Sequence, residues 1–194
     1  MPNWCNNVVT LKHDDPQYIT RAITAFKAEK FFTEFMPCPP ELHEYDAPQR
    51  DAVLAEQFLE KYGATDWYDW QVKNWGTKWD VGWADGAELV DINTVVLNFD
   101  SPWNAPVTAY YALSELGFSI DAVYYEPGMA FCGEYTTEDG DISYEIEADP
   151  EWIMHHIPKK IREAFPIVED FTQEDEDQYD FDDDEPLLKF KDLD

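Results

Sequence analysis

The chain has 194 residues, 44% of them hydrophobic and 16% aromatic, and a formal net charge of −29 at pH 7. That length and apolar content suit one compact domain with an insertion, or two small ones, while the sign of the charge disfavours direct binding to nucleic acid or to an anionic membrane surface. The aromatic content separates it from acidic disordered chains, which lack the residues for a core.

Acidity on this scale has two readings: attraction of basic partners, or solubility for an aromatic-rich protein. It is not confined to one end. Residues 169–194 carry 13 acidic and 2 basic residues, and residues 1–168 still hold a net −18. The three cysteines, Cys5, Cys38 and Cys132, are odd in number, widely spaced and without a CxxC pair. That excludes a disulfide framework and a zinc ribbon and fits a reducing cytoplasm. The opening MPNWCNN has no basic region followed by an apolar one, and no apolar run approaches the ~20 residues of a membrane span. The expectation is a soluble cytoplasmic protein without a cofactor.

Residues 6–13 read as a strand from their β-branched content. Asp14, Asp15 and Pro16 then cap an amphipathic helix over 16–30, with Ile19, Ala22, Ile23 and Phe26 on one side. Phe31–Met36 reads as a short strand ended by Pro37, Pro39 and Pro40. Strand, helix and strand would form the first half of a split βαβ unit. Residues 41–50 look like a loop. Arg50–Tyr62 is a second amphipathic helix, with Val53, Leu54, Phe58, Leu59 and Tyr62 on one side and Gly63 as its stop.

Residues 67–83, WYDWQVKNWGTKWDVGW, hold five of the eight tryptophans: Trp67, Trp70, Trp75, Trp79 and Trp83. Such a segment is a packed aromatic knot, a recognition surface, or both. Asp85-Gly86 marks a turn, and Val90–Phe99 is the strongest strand, with an apolar centre suited to the middle of a sheet. A loop over 100–106 leads into a helix closed by Gly117. Strands follow at 118–125, 129–135 and 142–146, the last two around a turn at 138–141. A final helix over 151–165 bends at Pro158, with Trp152, Ile153, His156 and Ile157 facing inward. From Glu169 the pattern dissolves into acid, 11 of the 17 residues 169–185, as in a disordered tail. Pro186–Phe190 is a short apolar island after it.

The fold class is α+β: a ferredoxin-like βαββαβ antiparallel sheet with helices on one face. A helical, Trp-rich insertion of about residues 41–90 would separate the two halves, with an extra β-hairpin and a C-terminal helix added. The domain covers 1–168 and the tail 169–194.

Four blocks carry a resemblance: MPNWCNN at 1–7, NWGTKWD at 74–80, FDSPWNAP at 99–106, and YEPG at 125–128 with FCG at 131–133. In these the chain resembles a family of phage, prophage and plasmid proteins that includes the YubB-type and Api-type proteins. The resemblance spans roughly residues 1–133 and excludes the last helix and the tail. It implies a mobile-element origin, a ferredoxin-like fold and an accessory role, and it implies no established reaction.

Cys5 has no base or cation among the first eleven residues to activate it, so it reads as a core residue beside Trp4, with the asparagines serving nearby backbone. The block 74–80 has the residues for a small polar site. Asn74, Trp75, Lys78, Trp79 and Asp80, joined by Trp103, are its ligand-binding candidates, with Lys78 paired to Asp80 or lying along indole faces. The KKIR run at 159–162 is the only dense basic stretch, too little for a phosphate-binding patch. Glu138–Asp141 lacks the EF-hand register, and no nucleophile elbow, P-loop, HExxH or GxGxxG occurs. No metal site or catalytic residue is assigned.

The leading expectation is an acidic interaction protein that mimics nucleic acid on the basic surface of a host or defence protein. Its acidic helix faces and tail would supply charge, and exposed aromatics contact area. The tail candidates are Glu174, Asp175, Glu176, Asp177, Asp180, Asp182, Asp183, Asp184 and Glu185. One alternative is an enzyme or small-ligand protein with its site around NWGTKWD; another is a structural or virion-associated accessory protein.

Overall fold

Burial alternates along the first strand, with Cys5, Asn7, Val9 and Leu11 turned inward, and this alternation sets two distinct faces for the whole sheet. The computed structural model describes residues 2–43 and 52–173. The expected loop over 41–50 is helical at its start, within Pro40–His43; its remainder, the first residues of the Arg50 helix and the tail candidates Glu174–Glu185 lie outside the described residues, as do the side chains of 82–85 and 172–173.

In chain order the elements are β1 (Trp4–Lys12), α1 (Pro16–Lys27), α2 (Phe31–Phe35), α3 (Pro40–His43), α4 (Ala52–Tyr62) and α5 (Trp67–Trp75). They continue with β2 (Gly82–Asp91), β3 (Thr94–Pro102), α6 (Val107–Glu115), β4 (Ser119–Glu126), β5 (Phe131–Thr136) and β6 (Gly140–Glu145), then α7 (Pro150–His156), α8 (Lys159–Ala164) and α9 (Ile167–Gln173). The strands form one antiparallel sheet in the order β2-β3-β1-β4-β5-β6. Its first four strands, with α1 after β1 and α6 after β3, have the expected ferredoxin-like arrangement. The expected hairpin of β5 and β6 extends it.

Several expectations are corrected. The segment Phe31–Met36 is helical. Both Asp80 carboxylate oxygens accept from its first turn, Oδ1 from Phe32 N at 2.8 Å and Oδ2 from Thr33 N at 2.9 Å. Phe31 and Phe32 pack against Phe26, Phe99 and Trp75, so tertiary contact overrides strand propensity. The second strand of the first βαβ unit is therefore β2, and the insertion of α2–α5 lies between α1 and β2 rather than between the two halves.

The Asp85-Gly86 step does not reverse the chain. It lies within β2, where a register shift between Gly82 and Gly86 absorbs it. The reversal falls at Ile92-Asn93, inside the expected single strand Val90–Phe99, which is thereby divided between β2 and β3; Asn93 N donates to Asp91 Oδ1 and Asn93 Nδ2 ties the turn to the His13 and Asp14 carbonyls.

Helices also cover both faces. The core of Val9, Leu11, Leu97, Phe99, Ile120 and Ala122 takes residues of α1, α2, α5 and α6. On the opposite face Ile153, Ile157, Ile161 and Ile167 pack on Val123, Tyr125 and Cys132. Pro158 separates α7 from α8 as expected, but His156 stays exposed and stacks on Trp152 at 4.3 Å. Helix α9 carries regular structure beyond residue 168, to Gln173.

In α4 no residue is buried, and Val53 and Leu59 remain exposed. Helix α5 starts at Asp66, whose carboxylate accepts from Asp69 N, and ends at Gly76 with φ 79°. A Cβ at Gly76 would meet Thr108 N at 3.2 Å, so glycine serves both the left-handed cap and the close approach of α6.

Trp75, 1% exposed, donates its indole N–H to the Met36 carbonyl at 3.0 Å. Trp75→Ala is expected to cost about 3–5 kcal/mol, and Asp80→Ala about 0.5–2 kcal/mol through the lost α2 cap. Urea unfolding followed by far-ultraviolet circular dichroism measures both. A cost below about 1 kcal/mol for Trp75→Ala would remove it from the core.

Candidate functional site

The site is built outward from Asn7. Its Nδ2 donates to the Cys5 carbonyl (2.8 Å), the Phe99 carbonyl (3.3 Å) and Ser101 Oγ (2.9 Å), and its Oδ1 accepts from the Tyr110 hydroxyl (3.1 Å). Ser101 Oγ in turn donates to the Asn104 carbonyl, and Asn104 Oδ1 accepts from Ala105 N. The loop between β3 and α6 is thereby fixed, and Trp103 at its tip is held with φ 64°, its N–H on the Asn3 carbonyl at 2.8 Å.

The facing wall is the turn between β4 and β5. Glu126, 1% exposed, accepts from Gly128 N and Met129 N and folds the Glu126–Ala130 segment back on itself. Ala130 has φ 54°. Trp103 and Ala130 are two of the three non-glycine residues with positive φ among the described residues. Backbone strain of this kind concentrates at functional positions. Between these walls lies an open groove of about 480 Å³ lined by Asn3, Trp103, Asn104, Met129, Phe131 and Ser143.

Behind Trp103 the tryptophans form a ladder. Trp103 stacks on Trp79 at 6.0 Å, and Trp79 meets Trp4 at 6.3 Å. Lys78 Nζ lies 4.7 Å from the Trp79 ring, 5.5 Å from Tyr68 and 5.9 Å from Trp103. Trp79 and Trp103 are 40% and 46% exposed, a large aromatic area left in water. On the other side, Phe131 pairs with Glu145 and Gly133 with Ser143, so Ser143 and Glu145 rise from the same sheet face as Phe131, and Asp141 follows by the two-residue period.

The sequence candidates divide. Lys78, Trp79 and Trp103 come together at the surface. Trp75 is core, Asn74 donates back to the Trp70 carbonyl within its helix, and Asp80 caps α2, so no Lys78–Asp80 pair forms. Asn3, Met129, Phe131 and Ser143 escaped the sequence reading, although the first three belong to or adjoin the MPNWC and YEPG–FCG blocks. Only the folded sheet shows that four sequence blocks meet at one end of it.

Cys5 is fully buried; burial, reinforced by the Glu126 and Asp100 carboxylates, pushes its thiol far up. Burial likewise raises Cys132 to about 12 and Cys38 to about 11. None is an activated nucleophile. Among the described residues no group of three or more His, Cys, Asp or Glu is placed to hold a metal ion, and no helix is long and apolar enough to cross a membrane. Hollows of comparable size lie elsewhere among the described residues. One, of about 300 Å³, lies along α1 beside the Arg21–Glu34 ion pair. Another, of about 550 Å³, lies at the far end of the sheet among the backbones of tied turns. Neither has the groove's exposed tryptophan wall.

Fold and groove define a ferredoxin-like α+β protein with an exposed aromatic contact site. No family model matches the chain. It is 27% identical over 92 residues to "Uncharacterized protein YubB" of Escherichia coli (strain K12), a match covering 46% of this chain and 63% of that protein, less than two thirds of its length. The crystal structure of a protein api92 from Yersinia pseudotuberculosis is similar over 77% of this chain and 100% of that one, with a TM-score of 0.41 and 12% identity. The sequence match supports a weak relation to an uncharacterised family.

Two outcomes follow. Trp103→Gly relieves the left-handed backbone and is expected to leave the melting temperature unchanged or raised; a loss above about 2 kcal/mol would make Trp103 a structural residue. The Cys132 thiol, raised from 9.0 to about 12, keeps its proton in the folded state after the unfolded chain has lost it. Its contribution is complete below pH 9 and lost as pH rises toward 12, and the raised thiol of Cys5 acts with the same sign. Melting temperature should therefore fall steadily above pH 9, and Cys132→Ser should flatten that slope.

Proposed function

We propose that this protein is an acidic interaction protein that occupies the basic, nucleic-acid-binding surface of a host or defence protein. In this reading it is an accessory product of a phage, prophage or plasmid and acts in the bacterial cytoplasm. The observation that carries the proposal is a line of carboxylates along one edge of the sheet. Residues 138–151 contain seven acidic residues, all exposed, and no basic one. They run from the turn before the last strand, β6, through that strand to the start of α7.

Every odd position from 139 to 151 except Ser143 is Asp or Glu. Within β6, Asp141 and Glu145 share a side with Ser143, neighbouring positions of that side lying about 6.8 Å apart; Asp139 and Glu147 adjoin the two ends of the strand, and together they make a short run of charge, as a nucleic-acid backbone is a run of phosphates. The net −29 steers a cationic partner toward the molecule, and the row gives that attraction a direction. The aromatic groove next to the row supplies apolar contact, which charge alone does not.

The test is affinity for a basic, nucleic-acid-binding target captured from the host cell, measured as NaCl rises from about 50 to 200 mM, with duplex DNA as competitor. Binding should weaken at least tenfold and be displaced by the duplex. Replacing Asp139, Asp141, Glu145 and Glu147 by Asn or Gln should lower affinity at low salt by about tenfold with little change in stability. Affinity that is flat with salt would exclude the proposal.

A further inference from the structure

Resting on that reading, we infer that the groove between Trp103 and β6 is a seat for an arginine side chain carried by an extended segment of the partner lying along the free β6 edge. Three features of the groove select this occupant over an anion or a plain apolar chain. The Trp79–Trp103 stack already accepts a cation from this chain, Lys78, at 4.7 and 5.9 Å from the two rings. Trp103 also lines the groove, so the same electron-rich ring is presented there.

Ser143 lines the groove and is flanked on the same face of β6 by Glu145, the cross-strand partner of the groove residue Phe131, and by Asp141, which accepts from the Tyr124 hydroxyl at 2.8 Å, so a cation on Trp103 lies in a groove bordered by carboxylates. A guanidinium is planar, stacks on an indole and pairs in a bidentate manner with a carboxylate. An ammonium also sits over an indole face, as Lys78 does, but it neither stacks as a plane nor pairs in a bidentate manner. The carboxylates repel an anionic occupant.

The rest of the segment has its own partner. Among the described residues strand β6 is the end of the sheet, with no strand paired to its outer edge. An added strand pairs there and brings alternate side chains to the groove face, so arginine at every second position is the matching pattern. The walls are preset: Trp103 is held by Asn3 and the Asn7–Ser101–Asn104 chain, and the Met129 turn by Glu126. Little ordering is then left for binding to supply.

The probes are capped peptides of about six residues alternating arginine with threonine, and the same peptides with lysine or neutral citrulline in place of arginine. They are titrated into the full chain at low salt, following the indole N–H and backbone amide resonances. The arginine peptide should bind about tenfold more tightly than either analogue, with shifts centred on the Trp103 indole and the amides of β6. Trp103→Gly should weaken it about tenfold, and Glu145→Gln by about threefold to tenfold. Leu89→Ser, at an exposed position on the far edge strand β2, should change nothing. If arginine and lysine peptides bind alike and are indifferent to Trp103→Gly, surface charge alone is at work; the seat is overturned while the acidic-partner reading stands. Equal binding of the citrulline peptide would make the groove a site for neutral planar groups, and no binding of the arginine peptide would also overturn the seat. Loss of salt dependence with the captured target, with the peptide result intact, would overturn the wider reading instead.

Discussion

Asn7 stands 2% exposed between Cys5 and Val9 on the inward face of β1, where its amide must be satisfied by the protein or pay the desolvation cost of a bare polar group. It is satisfied by four groups drawn from β1, β3 and α6. No apolar residue of that size could fix those elements in one register, because packing alone tolerates sliding and hydrogen-bond geometry does not. The relay through Ser101 to Asn104 then carries that fixation to the loop tip, so an exposed indole is aimed by a buried amide about two residues away along the relay. The groove depends on this more than on its own lining.

The tryptophans whose side chains are described share a chemistry but divide by what their N–H and ring faces meet. Trp75 is buried with its N–H on a carbonyl and with Trp70 and Phe32 against its ring, and so holds the insertion to the sheet. Trp79 and Trp103 stack on each other and remain open to water, with a lysine over them. The insertion therefore does two things at once. Its α5 end anchors in the core, and the five residues after the Gly76 cap carry Lys78 and Trp79 out to the surface and return Asp80 to cap α2.

How much of this was legible follows from the range of each interaction. Elements governed by local signals could be read: the Asp15–Pro16 start of α1, the Gly63 and Gly117 stops, and the 138–141 turn between β5 and β6. The segment 31–36 could not be read, because its helix is set by a carboxylate 47–48 residues away and by rings from three other elements. The second helical layer was hidden for a related reason. In β4 the inward and outward residues Ala122, Val123, Tyr124 and Tyr125 are all buried, so the strand shows no alternation and gives no sign of which face the final helices choose. In the site, residue types announced Trp79 and Trp103, but the groove's other lining came from pairing register, which no local pattern encodes.

An edge strand rich in β-branched and aromatic residues invites pairing with any other strand, and natural sheets guard such edges with charge. In β6 the guard is wholly acidic: Asp141 and Glu145 within the strand, Asp139 and Glu147 beside it. A guard of mixed sign would block pairing with all comers. A guard of one sign blocks copies of this chain and other acidic proteins through like-charge repulsion, yet leaves the edge open to a strand of opposite charge. Ser143 is the single break in that row, and it is the residue of β6 that lines the groove. In the proposed complex the break leaves room for a side chain at the Trp103 wall, and the acidic pattern that opposes like-charged strands would favour a strand of opposite charge.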